Sequence, residues 1–153
     1  MNYTPSALKD VVSYASARGV RVIPCGPLIC ALLVARLKVR RCRELDLPGH
    51  SVGLQRGAPE LYTNCSAPKK LPDPTTERFF DFLDSIVSEL SVIFPDAYLH
   101  AGGDEVDTTC WTENPDVVAW MKRKGLNATG ALGYFQTRVQ EIITRHGKAA
   151  MFW

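Results

Sequence analysis

Apolar residues recur at helical spacing in four stretches of the chain, and short unbroken apolar runs lie between them. Thr4-Pro5 opens the first stretch, with Thr4 as N-cap and Pro5 at the first helical position. Leu8, Val11, Val12 and Ala15 then share one face, and Gly19 stops the helix. Val20-Arg21-Val22-Ile23 follows as a β-branched strand ended by Pro24. A second helix starts near Asp73-Pro74, carries Phe79, Leu83, Ile86, Leu90 and Ile93, and closes at Phe94-Pro95. Ala97-Tyr98-Leu99-His100-Ala101 reads as a second strand running into Gly102-Gly103-Asp104-Glu105. Asn114-Pro115 opens a short helix through Val117, Val118 and Met121, stopped by Gly125. A longer helix carries Leu132, Phe135, Val139, Ile142 and Ile143 and ends at Gly147. Ala149-Ala150-Met151-Phe152-Trp153 is a third strand.

Helices alternating with short apolar strands predict an α/β fold with a parallel sheet. Right-handed crossovers would set the strands side by side. About three strands form neither a closed barrel nor a stable open sheet, so the chain is expected to be part of a larger α/β unit. Its 153 residues otherwise suit one domain. Residues 25–43, CGPLICALLVARLKVRRCR, break the alternation. They turn abruptly apolar and then basic and hold Cys25, Cys30 and Cys42. Reading across them joins a strand directly to Glu44-Leu45-Asp46-Leu47-Pro48-Gly49-His50. The segment reads as an insertion or a retained intron; a genuine amphipathic hairpin or helix is the alternative.

Composition narrows the classes. With 46% hydrophobic and 22% charged residues, the chain is neither disordered nor collagen-like. A net charge of +2 does not mark a nucleic-acid binder, and the basic run Lys38–Arg43 reads as a solvated segment. No apolar stretch reaches the roughly 18–20 residues of a membrane span. The N-terminus carries no signal-peptide pattern. The sequons Asn64-Cys65-Ser66 and Asn127-Ala128-Thr129 hint at the secretory pathway. The clustered cysteines lack zinc-ligand spacing, and no metal or cofactor is expected.

The chemistry concentrates in His100-Ala101-Gly102-Gly103-Asp104-Glu105-Val106. A strand delivers two acids at its C-terminal end, where α/β barrels place their active sites. Two glycines let the backbone bend and a ligand approach. Glycoside hydrolysis needs a carboxylic acid to protonate the leaving oxygen and a second group to stabilise charge at the anomeric carbon. On spacing alone, a solvated turn, a helix cap, or a metal site of His100, Asp104 and Glu105 stays open. Neighbours on a regular strand face opposite ways, so both acids need the glycine bend to share a pocket.

This stretch resembles the His-x-Gly-Gly-Asp-Glu-Val signature of glycoside hydrolase family 20, the β-N-acetylhexosaminidases. Tyr3-Thr4-Pro5, Val11-Val12-x-Tyr14-Ala15 and Arg18–Pro24 resemble the family's third helix–strand unit. Glu44–His50 resembles its Pro-Glu-x-Asp-x-Pro-Gly-His loop; Cys110-Trp111 and Asn114-Pro115 resemble the segment after the acid pair. The match covers nearly the whole chain apart from residues 25–43. It implies a partial TIM (β/α)8 barrel of about three strands with their helices, spanning 1–153.

The resemblance further implies hydrolysis of terminal non-reducing N-acetylhexosamine residues, GlcNAc or GalNAc, by a substrate-assisted retaining mechanism. Glu105 would be general acid and base, and Asp104 would orient the 2-acetamido group. His50 and Trp153 would contact the sugar. Glu44 and Asp46 would orient their loop, and His100 would support the site from below. Trp111 is expected in the core. Cys65 and Cys110 match cysteines that form a disulfide in animal lysosomal relatives. N-acetylhexosamine-containing glycans are the implied partners. Intact members are often dimeric and are lysosomal, vacuolar or secreted. The family site also uses residues from strands with no counterpart here, so the chain by itself is expected to be inactive. The alternative is a non-catalytic carbohydrate-binding remnant.

Overall fold

The computed structural model describes residues 4–24, 59–66, 70–103 and 106–153. The predicted insertion 25–43 lies outside the described residues. Helix α1 spans Pro5–Ser16, and the Thr4 hydroxyl accepts the Ala7 N–H at 3.1 Å. A short 3-10 turn, Pro59–Leu61, precedes α2, Glu77–Ile93. This helix begins later than the apolar pattern predicts. Asp73 Oδ1 accepts both the N–H and the hydroxyl of Thr75, at 2.8 and 2.6 Å. That Asx turn holds Pro74 and Thr75 out of the helix and hands the N-cap to Thr76.

Strand β1, Tyr98–His100, leads to α3, Thr109–Glu113, a five-residue helix that the sequence pattern does not announce. Helix α4, Pro115–Lys124, follows the predicted signals. Asn114 Oδ1 accepts the N–H groups of Asp116 and Val117, and Gly125 closes the helix in the left-handed conformation at φ 66°. Helix α5, Ala128–Arg145, is capped by Asn127, and β2, Ala149–Met151, follows.

β1 and β2 pair in parallel, Tyr98 with Ala149, Leu99 with Ala150 and His100 with Met151. Among the described residues the sheet therefore has two strands, against the three predicted. Among the described residues Val20–Ile23 joins no ladder. The residue after it, Pro24, accepts the His100 N–H at 3.0 Å, on the edge opposite β2.

The two faces of this sheet differ. Leu99, Ala101, Ala150 and Phe152 pack on the helices. They join a core built on Phe80, Val87 and Leu90 of α2 and Ile142 and Ile143 of α5. Burying such side chains contributes roughly 1.5–3 kcal/mol each, so α2 and α5 carry most of the sheet's support. A second cluster joins Trp111, Val117, Trp120, Met121 and Ala131 of α3, α4 and α5. Strand alternation sends Tyr98, His100, Met151 and Trp153 the other way. On that face Tyr98, Met151 and Trp153 are exposed among the described residues.

The N-terminal ends of the strands are pinned by charge. Arg21 donates two hydrogen bonds to Asp96, each at 2.7 Å, and Asp96 Oδ1 also accepts the Tyr98 N–H. The Arg21 hydrogen bond holds the Asp96 carboxyl below its usual range. Lys148 Nζ donates to the carbonyls of Phe94 and Asp96, at 2.9 and 2.6 Å. The lead-ins to both strands thus share one clamp.

Candidate active site

Beyond β1 the backbone turns through two glycines at positive φ, Gly102 at 74° and Gly103 at 107°. The second value is costly for any residue with a Cβ. The bend is fastened on both sides. The Gly102 N–H donates to His100 Nδ1 at 3.1 Å, and the Trp153 N–H donates to the Gly102 carbonyl at 3.1 Å. The His100 and Trp153 rings lie against each other, 4.6 Å between centroids and tilted by 52°. Trp153 stays 75% exposed, so this contact uses only part of the indole.

On the helix side of the bend lies a cavity of about 150 Å³. Its walls are apolar, among them Leu71, Trp111, Phe135, Val139 and Phe152, with the Gln136 amide as the polar side chain. Gly103 and Val106 both line it. Among the described residues this apolar lining forms a floor behind the bend. A Cβ on Gly103 would stand 3.2 Å from Gln136 Nε2 and 3.7 Å from Phe152 Cδ1. The bend is thus built against α5 and the end of β2.

Helix α5 is held in place by Arg138, whose guanidinium pairs with Glu77 at the start of α2 and lies 4.3 Å from the Phe80 ring centroid. Its hydrogen bond lowers the Glu77 carboxyl below its ordinary range, and the same bond raises the Arg138 guanidinium above its own. Trp111, 1% exposed, donates its indole N–H to the Pro72 carbonyl at 2.9 Å and packs in the core. Cys65 and Cys110 are joined in a disulfide, with Cα atoms 5.4 Å apart. It ties the segment after the 3-10 turn to α3.

Of the residues singled out in the sequence, the structure thus brings together His100 and Trp153, and separately Cys65 and Cys110. Asp104, Glu105, His50, Glu44 and Asp46 lie outside the described residues. Two members of the conceivable metal site, Asp104 and Glu105, are among them. No cluster of three or more His, Cys, Asp or Glu side chains forms a metal site among the described residues. No helix among them is long and apolar enough to cross a membrane. Sequence reasoning missed Gln136 and Phe152 as parts of the floor.

The glycosyl hydrolase family 20 catalytic domain matches residues 34–153, beginning inside the 25–43 segment. The α subunit of mouse β-hexosaminidase is 35% identical over 159 aligned residues, covering 99% of this chain and 26% of that protein. The chain therefore spans about a quarter of the length of the curated relatives it matches. A crystal structure of a β-N-acetylhexosaminidase superposes with a TM-score of 0.77 at 26% identity, over 99% of this chain and 30% of the other. A mutant Streptomyces plicatus β-hexosaminidase with GlcNAc as bound product superposes at 0.57 and 27% identity, over 99% of this chain and 25% of its own.

Proposed function

The chain belongs to glycosyl hydrolase family 20, and on that premise we propose that it carries the acid-pair segment of a β-N-acetylhexosaminidase. The reaction is removal of terminal non-reducing GlcNAc or GalNAc from β-linked glycans. The observation that carries this reading is the His100–Val106 signature at the C-terminal end of β1, in a chain of this family. Relatives named β-hexosaminidase support the reaction class, and the GlcNAc product held by a structural neighbour supports the sugar.

In the proposed mechanism the substrate's own acetamido oxygen attacks the anomeric carbon from the opposite face as the bond from that carbon to the glycosidic oxygen breaks. Glu105 gives its proton to that oxygen, so that the aglycone leaves as an alcohol. This substrate-assisted route is an exception to the two-carboxylate scheme. Asp104 accepts a hydrogen bond from the acetamido N–H, aiming the oxygen and steadying the oxazolinium intermediate. Glu105, now ionised, takes a proton from water as that water attacks the same carbon. The bond from that carbon to the acetamido oxygen breaks, so the oxazolinium ring opens, the acetamide is restored and the sugar keeps its configuration. The first step requires a Glu105 that holds its proton near neutral pH.

Trp153 stands as a wall against the sugar, backed by the His100 ring, and His50 contacts the sugar from its loop, which Glu44 and Asp46 orient. The bare sheet face bearing His100 and Trp153 supports a barrel interior on that side, with residues 1–153 as part of a (β/α)8 barrel and 25–43 as an insertion. The Cys65–Cys110 disulfide favours an oxidising compartment, lysosomal, vacuolar or extracellular. The test is made in the full-length protein. Glu105→Gln should abolish turnover of a chromogenic N-acetylglucosaminide, and Asp104→Asn should slow formation of the intermediate. Near-normal activity of Glu105→Gln overturns the assignment. One observation favours a second reading for the isolated chain, binding without turnover: it spans about a quarter of its relatives. Hydrolysis by the 153-residue chain would eliminate that reading.

A further inference from the structure

Three sequons stand in the chain. Asn2-Tyr3-Thr4 begins outside the described residues, and the fold treats the other two, Asn64-Cys65-Ser66 and Asn127-Ala128-Thr129, differently. We propose that Asn127 is a site of N-linked glycosylation and that Asn64 is left unmodified. This rests on the proposed passage through an oxidising secretory compartment and not on the catalytic reading.

Asn127-Ala128-Thr129 lies at the start of α5, with Asn127 and Thr129 both exposed. The Asn127 backbone is extended, at φ −94° and ψ −177°. Its carboxamide divides its two ends. Oδ1 accepts the Gly130 N–H at 2.8 Å and caps the helix. Nδ2, the atom that takes the sugar, makes no hydrogen bond to the described residues, and the residue is exposed. Glycosylation replaces one hydrogen on Nδ2 and leaves the carbonyl oxygen intact. The cap therefore survives modification, and a bulky glycan costs α5 nothing at its N-terminus.

Asn64-Cys65-Ser66 is committed elsewhere. Its central residue is joined to Cys110, which is fully buried. The Ser66 hydroxyl donates to the Glu113 carboxylate at 2.8 Å. The Asn64 backbone carbonyl accepts the Asn114 side-chain amide at 2.8 Å. Asn64 and Ser66 are exposed, but each position of this sequon is tied to α3 or to the cap of α4, through a backbone carbonyl, a disulfide and a hydroxyl in turn. Closing the disulfide through the middle residue withdraws the tripeptide from a transferase, which must thread it in extended form with the hydroxyl free.

The donor is a lipid-diphosphate-linked oligosaccharide. Asn127 Nδ2 forms the bond to the anomeric carbon of the first sugar, and the bond from that carbon to the diphosphate oxygen breaks. The diphosphate leaves with the electron pair, the amide gives one proton to a base of the transferase, and nothing is oxidised or reduced.

The full-length protein is secreted from eukaryotic cells and treated with peptide N-glycosidase in ¹⁸O-water, which converts a glycosylated asparagine to labelled aspartate. Peptide mass spectrometry without reduction reads both sequons and the Cys65–Cys110 link together. The expected result is label at Asn127, none at Asn64, and an intact disulfide. Thr129→Ala, which keeps the Asn127 cap, should remove one glycan-sized step in gel mobility, while Ser66→Ala leaves mobility unchanged. An unlabelled Asn127 beside an oxidised disulfide overturns this proposal and leaves the compartment standing. An unlabelled Asn127 beside free thiols overturns both. Equal label at the two asparagines overturns the selection between them.

Discussion

Gly103→Ala tests whether the bend after β1 is set by backbone conformation. Gly103 sits at φ 107°, where an alanine pays about 1–3 kcal/mol in backbone strain. The steric part is smaller. The new Cβ would lie 3.2 Å from Gln136 Nε2, the tip of a flexible side chain that can withdraw by a few tenths of an ångström, and at an ordinary 3.7 Å from Phe152. If the strain stays in place, it lowers the stability of the full-length protein. If the bend relaxes, it moves the chain that leads directly into Asp104 and Glu105, and kcat falls. A cost of about 1–3 kcal/mol corresponds to about a 5- to 150-fold loss. The assay measures kcat, KM and thermal unfolding for Gly103→Ala, Gln136→Ala and the double variant. A double-mutant cycle separates the two contributions. Removing Gln136 should recover only a minor part of the loss, because it relieves the contact and leaves φ unchanged. Gly103→Ala with parental kcat and parental melting temperature refutes the reasoning. Full recovery in the double variant refutes it too, by making the effect steric.

Replacing Cys65 and Cys110 together by alanine reopens a loop whose ends are 45 residues apart. In the chain-entropy picture this loop is worth about 4 kcal/mol, read as a lowered midpoint in urea; an unchanged midpoint contradicts it. Arg21→Met removes the partner that depresses Asp96. A carboxyl with a lowered folded pKa adds stability above its unfolded value, and the stability is lost as pH falls through the folded one. The melting-temperature gap between parent and Arg21→Met should be constant above about pH 5 and close below about pH 4. A gap that widens in acid would show the pair has the wrong sign. Trp153→Ala should raise KM for the chromogen by about tenfold, in keeping with loss of an aromatic wall, and unchanged KM would remove Trp153 from the sugar site.

Much of the helical layer was legible. Asn114-Pro115 and Gly125 bracket α4 because the cap and stop chemistry is local, and the apolar period of α5 matches its buried face. The start of α2 was misplaced because Asp73 spends its carboxylate on Thr75 rather than on a helix. α3 escaped because five residues are too few to show a period. Val20–Ile23 has strand composition, yet its pairing depends on neighbours that no local pattern contains. In the site, the acids rest on the family signature, and Asp104 and Glu105 lie outside the described residues. Gln136 carried a fainter signal. It lies four residues after Leu132 and three before Val139, on the inner face of α5, where a polar residue needs a reason. The floor it belongs to exists only once α5 and β2 meet, so no single segment encodes it.

The parallel pairing of β1 with β2 also fixes an order of assembly. Tyr98 and Ala149 are about fifty residues apart, so joining the strands costs roughly 3.5 kcal/mol in loop closure before any ladder bond forms. Three aligned pairs cannot meet that cost unaided. The α3–α4–α5 cluster needs only contacts close in sequence and can form early, and α2 then docks on α5 to bring the strands within reach. The strand ends that carry Gly103 and Trp153 are therefore among the last parts of the molecule to take shape. Mutations that slow the docking of α2 should delay the appearance of the site more than they alter the finished structure.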